Sequence, residues 1–118
     1  MPIMALFRSQ RVDQNLYDAI MQALDIDQGP PAGALTHACG FNDQGICVVD
    51  VWESRQEFEA FLTDRLAPVF AKLGIDFIAP EIFDAYAFRA TENVDGYMPA
   101  RGAGFRSASQ PAGQRPTH

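Results

Sequence analysis

The sequence predicts an α+β domain in which four strands and two helices follow one another as βαββαβ, with an antiparallel sheet and both helices on one face. Three observations support this fold class. Residues 46–52 form a Val-rich apolar run that leads directly into a helix, as suits a half-buried strand. Residues 54–57 read Ser-Arg-Gln-Glu, a capping box that marks the start of that helix. The apolar runs 34–41 and 46–52 flank Asn-Asp-Gln-Gly, which favours a hairpin turn.

The remaining elements complete this order. Residues 3–8 form a short apolar run that predicts the first strand. Asp13 is placed to cap a first helix, whose apolar stripe repeats at three- and four-residue steps: Leu16, Tyr17, Ile20, Ala23 and Leu24. The second helix ends before Gly74, and we expect a kink at Pro68 because proline lacks an N–H and clashes with the preceding turn. Residues 82–90 predict the fourth strand.

Length and composition predict one domain with an extension. At 118 residues and 47% hydrophobic content, the chain is long enough for a single core, and we assign the folded domain to residues 1–90. Residues 91–118 are rich in Gly, Pro, Ala and Arg and poor in aliphatic side chains, so no core can be built from them. Two interpretations stay open: a flexible tail, or a segment docked on a partner subunit.

The charge balance disfavours two classes of partner. Fifteen acidic against nine basic residues give a net charge of −6, which repels a phosphate backbone, so we expect no nucleic-acid partner. No apolar run approaches the length of a membrane span, and the first residues do not form a signal peptide. We therefore expect no membrane partner and a cytoplasmic protein. The two cysteines, Cys39 and Cys47, are predicted on opposite faces of the sheet, so we expect free thiols. No zinc-ligand spacing is present.

The predicted hairpin brings two titratable residues together. A symmetrical turn pairs His37 with Asp50 and places both side chains on one face, whereas a three-residue loop would shift this register. The same face carries the large apolar residues of the hairpin: Leu35, Cys39, Phe41, Ile46, Val48 and Trp52. The opposite face carries small residues and valines, which we expect to pack against the helices. The face with His37 is then the one that this chain leaves uncovered.

Residues 49–54, Val-Asp-Val-Trp-Glu-Ser, followed by Glu57-Phe58-x-x-Phe61, resemble the dimeric α/β-barrel superfamily, in particular antibiotic biosynthesis monooxygenase-like proteins. The resemblance covers residues 1–90. It implies a ferredoxin-like fold and a homodimer in which the open sheet faces of two subunits cover each other. Monooxygenase and haem-degrading members typically place a His on the second helix where this chain has Phe61. The matching Trp52 is present, and haem degradation is disfavoured.

His37 and Asp50 are the candidate catalytic residues, because Asp50 would orient the imidazole and stabilise its charged form, which allows His37 to act as a general base. The alternative is a buried pair whose partners satisfy each other's hydrogen bonds. Four aromatic residues are candidates for substrate binding, since aromatic walls hold planar apolar ligands: Trp52, Tyr86, Phe88 and Phe7. The alternative is that these rings simply fill the dimer core.

Three functions remain open from the sequence. The first is a small-molecule-binding homodimer that acts as a cofactor-independent monooxygenase on an aromatic or polyketide-like substrate, with His37 as base. The second is a cyclase or isomerase that uses the same base without oxygen, and neither chemistry requires a metal or a cofactor. The third is a non-catalytic ligand-binding or stress-related dimeric barrel protein. A cavity of a few hundred Å³ beside His37 would favour an enzyme, and a filled interior would favour the third function.

Overall fold

The computed structural model describes residues 1–26 and 29–98. Strands and helices follow in the predicted order. The strands are β1 (Ile3–Ser9), β2 (Ala34–Asn42), β3 (Gly45–Trp52) and β4 (Glu81–Asp84), and the helices are α1 (Gln14–Leu24), α2 (Arg55–Phe61) and α3 (Ala67–Leu73). A π-helical turn at Leu62–Leu66 joins α2 to α3 without a break, so these two helices form one helical segment. The fold is therefore the predicted ferredoxin-like α+β class.

The four strands form one sheet in the order β2-β3-β1-β4, and the pairings between neighbouring strands are antiparallel. Strands β2 and β3 form the expected hairpin, in which His37 lies opposite Asp50 and Phe41 opposite Ile46. The predicted pairing of Leu35 with Trp52 is wrong, because the register shifts between Ala34 and Thr36 and Ala34 pairs with Trp52 instead. This irregularity takes Leu35 out of the ladder, as an extra residue in one strand does.

The helices cover the sheet face that the sequence analysis assigned to the open side. Trp52 packs against Phe58 and Phe61 of α2 with ring centroids 5.3 and 5.1 Å apart, and Ile46 and Val48 belong to the same core. The expected assignment of faces is therefore wrong. Large side chains fill the space between sheet and helices, whereas small residues and valines would leave voids there. The face left open carries Met4, Leu6, Ala38, Val49, Val51 and Phe83.

Local signals account for the ends of the helices. The Asp13 side chain accepts a hydrogen bond from the backbone N–H of Leu16 at 2.8 Å and caps α1, and Ser54 caps α2 in the same way. Gly74 ends α3 in the left-handed conformation, with φ of 70°. A π-helical turn precedes Pro68, where the sequence predicts a kink, and Pro68 lies in the first turn of α3. The proline ring would clash with a carbonyl in the preceding turn of a regular α-helix, and the wider turn relieves that clash.

Arg65 of the π-helical turn ties this segment to the end of α1. Its guanidinium donates hydrogen bonds to the carbonyl oxygen of Leu24 at 2.8 Å and to that of Gly29. Leu24 is the last residue of α1, whose final carbonyls have no partner within the helix. A planar, permanently charged donor is well suited to two acceptors at once. Arg65 thus links the π-helical turn to the end of α1 and to the loop that follows it.

The fourth strand is shorter than the predicted 82–90, since β4 ends at Asp84. A further backbone hydrogen bond, from the N–H of Ala85 to the carbonyl of Pro2, continues this edge. Within the predicted extension 91–118, the described residues include a 3₁₀ turn at Glu92–Gly96, and residues 99–118 lie outside the described part of the chain. In residues 1–26 and 29–98, no helix has the length and apolar character that crossing a membrane requires.

Candidate functional site

The hairpin register determines the first contact of the site. Because His37 and Asp50 lie opposite each other on the covered face, their side chains meet between the sheet and the helices. The Nδ1 atom of His37 lies 2.7 Å from Oδ1 of Asp50. Only 12% of the His37 side chain and 8% of the Asp50 side chain are exposed. The sequence-predicted pair is thus present, inside the subunit rather than on its open face.

Helix α1 adds a third residue to this pair. Tyr17 lies one turn after the Asp13 cap, on the side of α1 that faces the sheet, and its hydroxyl oxygen is 2.5 Å from Nε2 of His37. The two rings are nearly parallel, with 10° between their planes. The result is a continuous hydrogen-bonded array from Tyr17 through His37 to Asp50, which we call the Tyr17–His37–Asp50 array.

Trp52 supports Asp50 from the other side. Its indole Nε1–H donates a long hydrogen bond of 3.4 Å to Oδ2 of Asp50, so each carboxylate oxygen has a donor. The indole is held in place by its contacts with the rings of Phe58 and Phe61, and it is only 1% exposed. Asp50 is thereby fixed in one orientation by two neighbouring residues.

The array forms one wall of a cavity of about 80 Å³ between the sheet and the helices. The other lining side chains are almost all apolar: Phe7, Val12, Ile20, Met21, Leu24, Ile26, Ile46, Val48, Trp52, Phe61, Leu66, Phe70 and Ile78. Two of the four predicted substrate-binding residues, Phe7 and Trp52, are in this lining. The volume is smaller than the few hundred Å³ that we expect for an enzyme site. The space between the sheet and the helices is nevertheless not completely filled by side chains.

The other two predicted substrate-binding residues, Tyr86 and Phe88, lie away from this cavity. Neither side chain is in the lining, and Tyr86 is completely exposed while Phe88 is 47% exposed. The physical reason is the early end of β4 at Asp84. Beyond that residue the alternation of a strand no longer determines which side a residue faces.

Burial sets the protonation of the groups around the array. Removal from water raises the pKa of Tyr17 well above the ordinary value of a phenol, and the nearby Cys39 and Asp50 raise it further because a second negative charge is disfavoured beside them. Burial also raises the pKa of Cys39, to about 11, although its hydrogen bond with Tyr17 acts in the opposite direction. Tyr17 and Cys39 are therefore both protonated, as phenol and thiol, at neutral pH.

The positions of the protons follow from the donors and acceptors. An ionised carboxylate only accepts hydrogen bonds, so Nδ1 of His37 carries the proton that faces Asp50. In the neutral imidazole, Nε2 then accepts the proton of the Tyr17 hydroxyl. If Nε2 gains a proton, it donates to the tyrosine oxygen instead, and the contact is kept. The array can thus accept a proton at Nε2 without losing a hydrogen bond.

Tyr17 is the site residue that the sequence analysis missed. The sequence pattern places its ring in the apolar stripe of α1, and this pattern carries no signal for the hydroxyl. A buried tyrosine hydroxyl usually requires a polar partner, and His37 and Asp50 are the polar titratable residues of the predicted hairpin face. If the hairpin face with His37 had been predicted to pack against the helices, the contact between Tyr17 and His37 could have been predicted as well. Among the described residues, no cluster of three or more His, Cys, Asp or Glu side chains could hold a metal ion.

Fold and site together define a ferredoxin-like α+β domain with a polar array enclosed between its sheet and its helices. Solved structures share the fold. They include the protein NE2512 of unknown function from Nitrosomonas europaea (TM-score 0.55, 14% identity, 76% of this chain and 92% of that chain covered). Rv0793 from Mycobacterium tuberculosis is similar (TM-score 0.52, 13% identity, 75% and 97% covered). So is SnoaB, a cofactor-independent oxygenase from Streptomyces nogalater (TM-score 0.50, 13% identity, 74% and 93% covered).

These likenesses confirm the predicted ferredoxin-like fold. At such low identity they carry no residue roles, because one fold hosts many chemistries. No protein-family model matches the sequence, and no curated protein is significantly similar to it.

Proposed function

We propose that the chain is a small-molecule enzyme in which the Tyr17–His37–Asp50 array removes a proton from an uncharged, largely apolar substrate. One observation carries the proposal: a buried, fully hydrogen-bonded Asp–His–Tyr array borders an otherwise apolar cavity. Imidazole is the commonest general base of enzymes. A carboxylate on its far nitrogen fixes the tautomer and stabilises the imidazolium that forms, as in the Ser-His-Asp arrangement.

Tyr17 is the group that would exchange protons with the substrate. Its raised pKa disfavours a free tyrosinate, so a stepwise loss of its proton is costly. In a concerted transfer, the hydroxyl oxygen takes the substrate proton while its own proton moves to Nε2 of His37. Tyr17 stays neutral throughout, and the positive charge that develops on His37 faces the carboxylate of Asp50.

Two reactions can follow from the substrate carbanion. In an isomerase or cyclase, the array returns the proton at another carbon or the carbanion attacks a carbonyl within the same molecule. In a monooxygenase, the carbanion transfers electrons to dioxygen and forms a peroxide. The peroxide gains a proton and loses water, so that a CH₂ group and O₂ become a C=O group and H₂O. SnoaB, described as a cofactor-independent oxygenase, makes the second reaction reasonable for this fold.

The size of the cavity limits how much of a substrate enters it. Its volume of about 80 Å³ is about half that of an engineered protein cavity of about 150 Å³ that binds benzene. An aromatic or polyketide-like substrate would place only its reacting edge beside Tyr17. Met21 in the lining is unbranched and flexible, so it is the side chain best able to change rotamer and make room for the substrate.

The proposal is tested with 2-tetralone, a bicyclic ketone with an acidic benzylic C–H. In D₂O, we expect the wild-type chain to accelerate exchange of that hydrogen for deuterium, followed by NMR. His37→Gln and Tyr17→Phe should each lose the acceleration by about 10²- to 10⁴-fold, the usual contribution of a general acid or base. Tyr86→Phe, which alters a fully exposed tyrosine, is the matched control. Oxygen uptake in the same assay separates monooxygenase from isomerase or cyclase chemistry.

We also propose a homodimer formed by the open sheet face. That face presents Met4, Leu6, Val49 and Phe83 on the side opposite to the helices, and Met4 is 36% and Phe83 48% exposed. A second copy would cover these side chains by an isologous contact. Met4→Glu should shift the chain from dimer to monomer in sedimentation, whereas Ala60→Glu on the exposed side of α2 should not. A wild-type chain that sediments as a folded monomer at micromolar concentration would contradict this proposal.

A second candidate function is a non-catalytic ligand-binding or stress-related dimer. The specific observation in its favour is that every polar group of the array already has a partner within the chain. Such an array stabilises a core without any chemistry. The outcome that favours this candidate is hydrogen exchange of 2-tetralone, and of related acidic ketones, at the same rate in the wild type and in His37→Gln.

A further inference from the structure

The side-chain polar atoms in the cavity lining already have hydrogen-bond partners within the chain. The hydroxyl of Tyr17 and both ring nitrogens of His37 are engaged within the array, and the indole N–H of Trp52 is directed to Asp50. In the described part of the chain, no buried side-chain nitrogen or oxygen lacks a hydrogen-bond partner. A buried water normally makes about three hydrogen bonds to unsatisfied groups, and apolar cavities without such groups stay dry.

Volume and charge restrict what can replace water there. The cavity of about 80 Å³ is large enough for a dioxygen molecule or a xenon atom. It is smaller than an engineered cavity of about 150 Å³ that binds benzene and xenon. The carboxylate in the lining, Asp50, already accepts a hydrogen bond at each oxygen, which disfavours a cation beside it. An anion would face this carboxylate in a medium that solvates charge poorly.

We propose that this cavity is a dry compartment that takes up small, uncharged apolar molecules, dioxygen in particular, and excludes water and ions. The inference rests on the proposed function for its role in turnover, since it names the second substrate that the array would meet in the monooxygenase reaction. A carbanion formed beside Tyr17 would then find dioxygen already present, in surroundings without water to return a proton to it.

The uptake itself is measured in the resting protein, without any substrate. Xenon serves as the probe, and the methyl groups of valine and isoleucine are followed by NMR under increasing xenon pressure. We expect saturable shifts at the lining residues Ile20, Ile46 and Val48, and none at Val49 on the open face. Dissolved dioxygen, which is paramagnetic, should broaden the same lining methyl signals. We expect no magnetisation transfer from long-lived water to them.

Trp52 offers an optical measurement of the same uptake, because it is the only tryptophan in the sequence and lines the cavity. We expect dioxygen to quench its fluorescence and iodide to leave it unchanged. Two substitutions of adjacent residues on opposite faces provide the control. Val48→Ile adds a methylene inside the cavity and should lower xenon affinity by about threefold or more, since filling removes cavity volume. Val49→Ile adds the same group on the open face and should leave the affinity unchanged.

The outcomes separate this inference from the proposed function. Lining methyl groups that do not respond to xenon, a response equally strong in Val48→Ile and wild type, or long-lived water in the cavity would each overturn the dry compartment. None of these results depends on proton transfer. Conversely, uptake of xenon and dioxygen by a chain that does not exchange the hydrogens of acidic ketones would leave the compartment in place and overturn the proposed enzyme.

Discussion

The hydroxyl of Tyr17 lies 2.5 Å from Nε2 of His37, and this contact joins helix α1 to strand β2 across the interior. It extends a pair that the hairpin alone would form into an array of three residues. Because the hydroxyl can donate to neutral imidazole or accept from imidazolium, the contact serves both protonation states of His37. The contact is therefore compatible with a proton-transfer role as well as with a structural one.

Tyr17→Phe should destabilise the chain by about 1–3 kcal/mol, because it keeps the ring but removes a buried hydrogen bond to Nε2 of His37. Urea unfolding measures the change. Tyr86→Phe removes the hydroxyl of a fully exposed tyrosine and should change the free energy of unfolding by less than about 0.5 kcal/mol. Equal effects of the two substitutions would show that the contact with His37 contributes nothing to stability.

His37→Ala should cost about 3–5 kcal/mol, because it removes the closer of the two hydrogen-bond donors to the buried carboxylate of Asp50. Both side chains are largely buried, which makes an uncompensated charge expensive. The double variant His37→Ala/Asp50→Ala should lose less than the sum of the two single variants, as contacting residues do in a double-mutant cycle. Additive losses in thermal or urea unfolding would mean that the pair is not coupled.

Arg65→Met should destabilise the chain by about 1.5–3 kcal/mol, the range for hydrogen bonds to a charged group. The substitution keeps the aliphatic part of the side chain and removes both hydrogen bonds to the end of α1 and the loop after it. Arg55→Met is the matched control, since Arg55 makes an exposed helical ion pair with Glu59 that is worth only about 0.3–0.5 kcal/mol. A smaller loss of stability for Arg65→Met than for Arg55→Met would show that these two hydrogen bonds do not stabilise the end of α1.

Alkaline pH should reduce stability through Cys39. Burial raises the pKa of its thiol to about 11 in the folded chain, and unfolding restores the ordinary, lower value. Between those two values the folded chain retains a proton that the unfolded chain has lost, so the free energy of unfolding falls as pH rises. This stabilisation is complete below the ordinary thiol pKa and is lost as pH rises through about 11.

The melting temperature as a function of pH tests this linkage. Cys39→Ala and Cys39→Val both remove the titrating thiol and should show a shallower decline above the ordinary thiol pKa than the wild type. Part of the decline should persist in both variants, because burial also raises the pKa of Tyr17. Curves with the wild-type slope would show that Cys39 does not carry the linkage.

Patterns among neighbouring residues determined much of this protein. The apolar stripes, the caps at Asp13 and Ser54 and the Asn-Asp-Gln-Gly turn predicted the element order, and the structure confirms them. Strand alternation around that turn was also enough to place His37 opposite Asp50. These features depend on residues close in sequence, whose relative positions follow from the 3.6-residue and two-residue periods of helix and strand.

Tertiary packing decided the rest. Both sheet faces are apolar, so hydrophobicity does not distinguish them. The helices pack against the face whose large side chains fill the space between the layers. That choice moved His37 and Asp50 from an open face to the cavity between the sheet and the helices, and it brought Tyr17 to them from another element. The early end of β4 likewise left Tyr86 outside the site. Such contacts depend on how the volumes of distant residues fit together, and no local period encodes them.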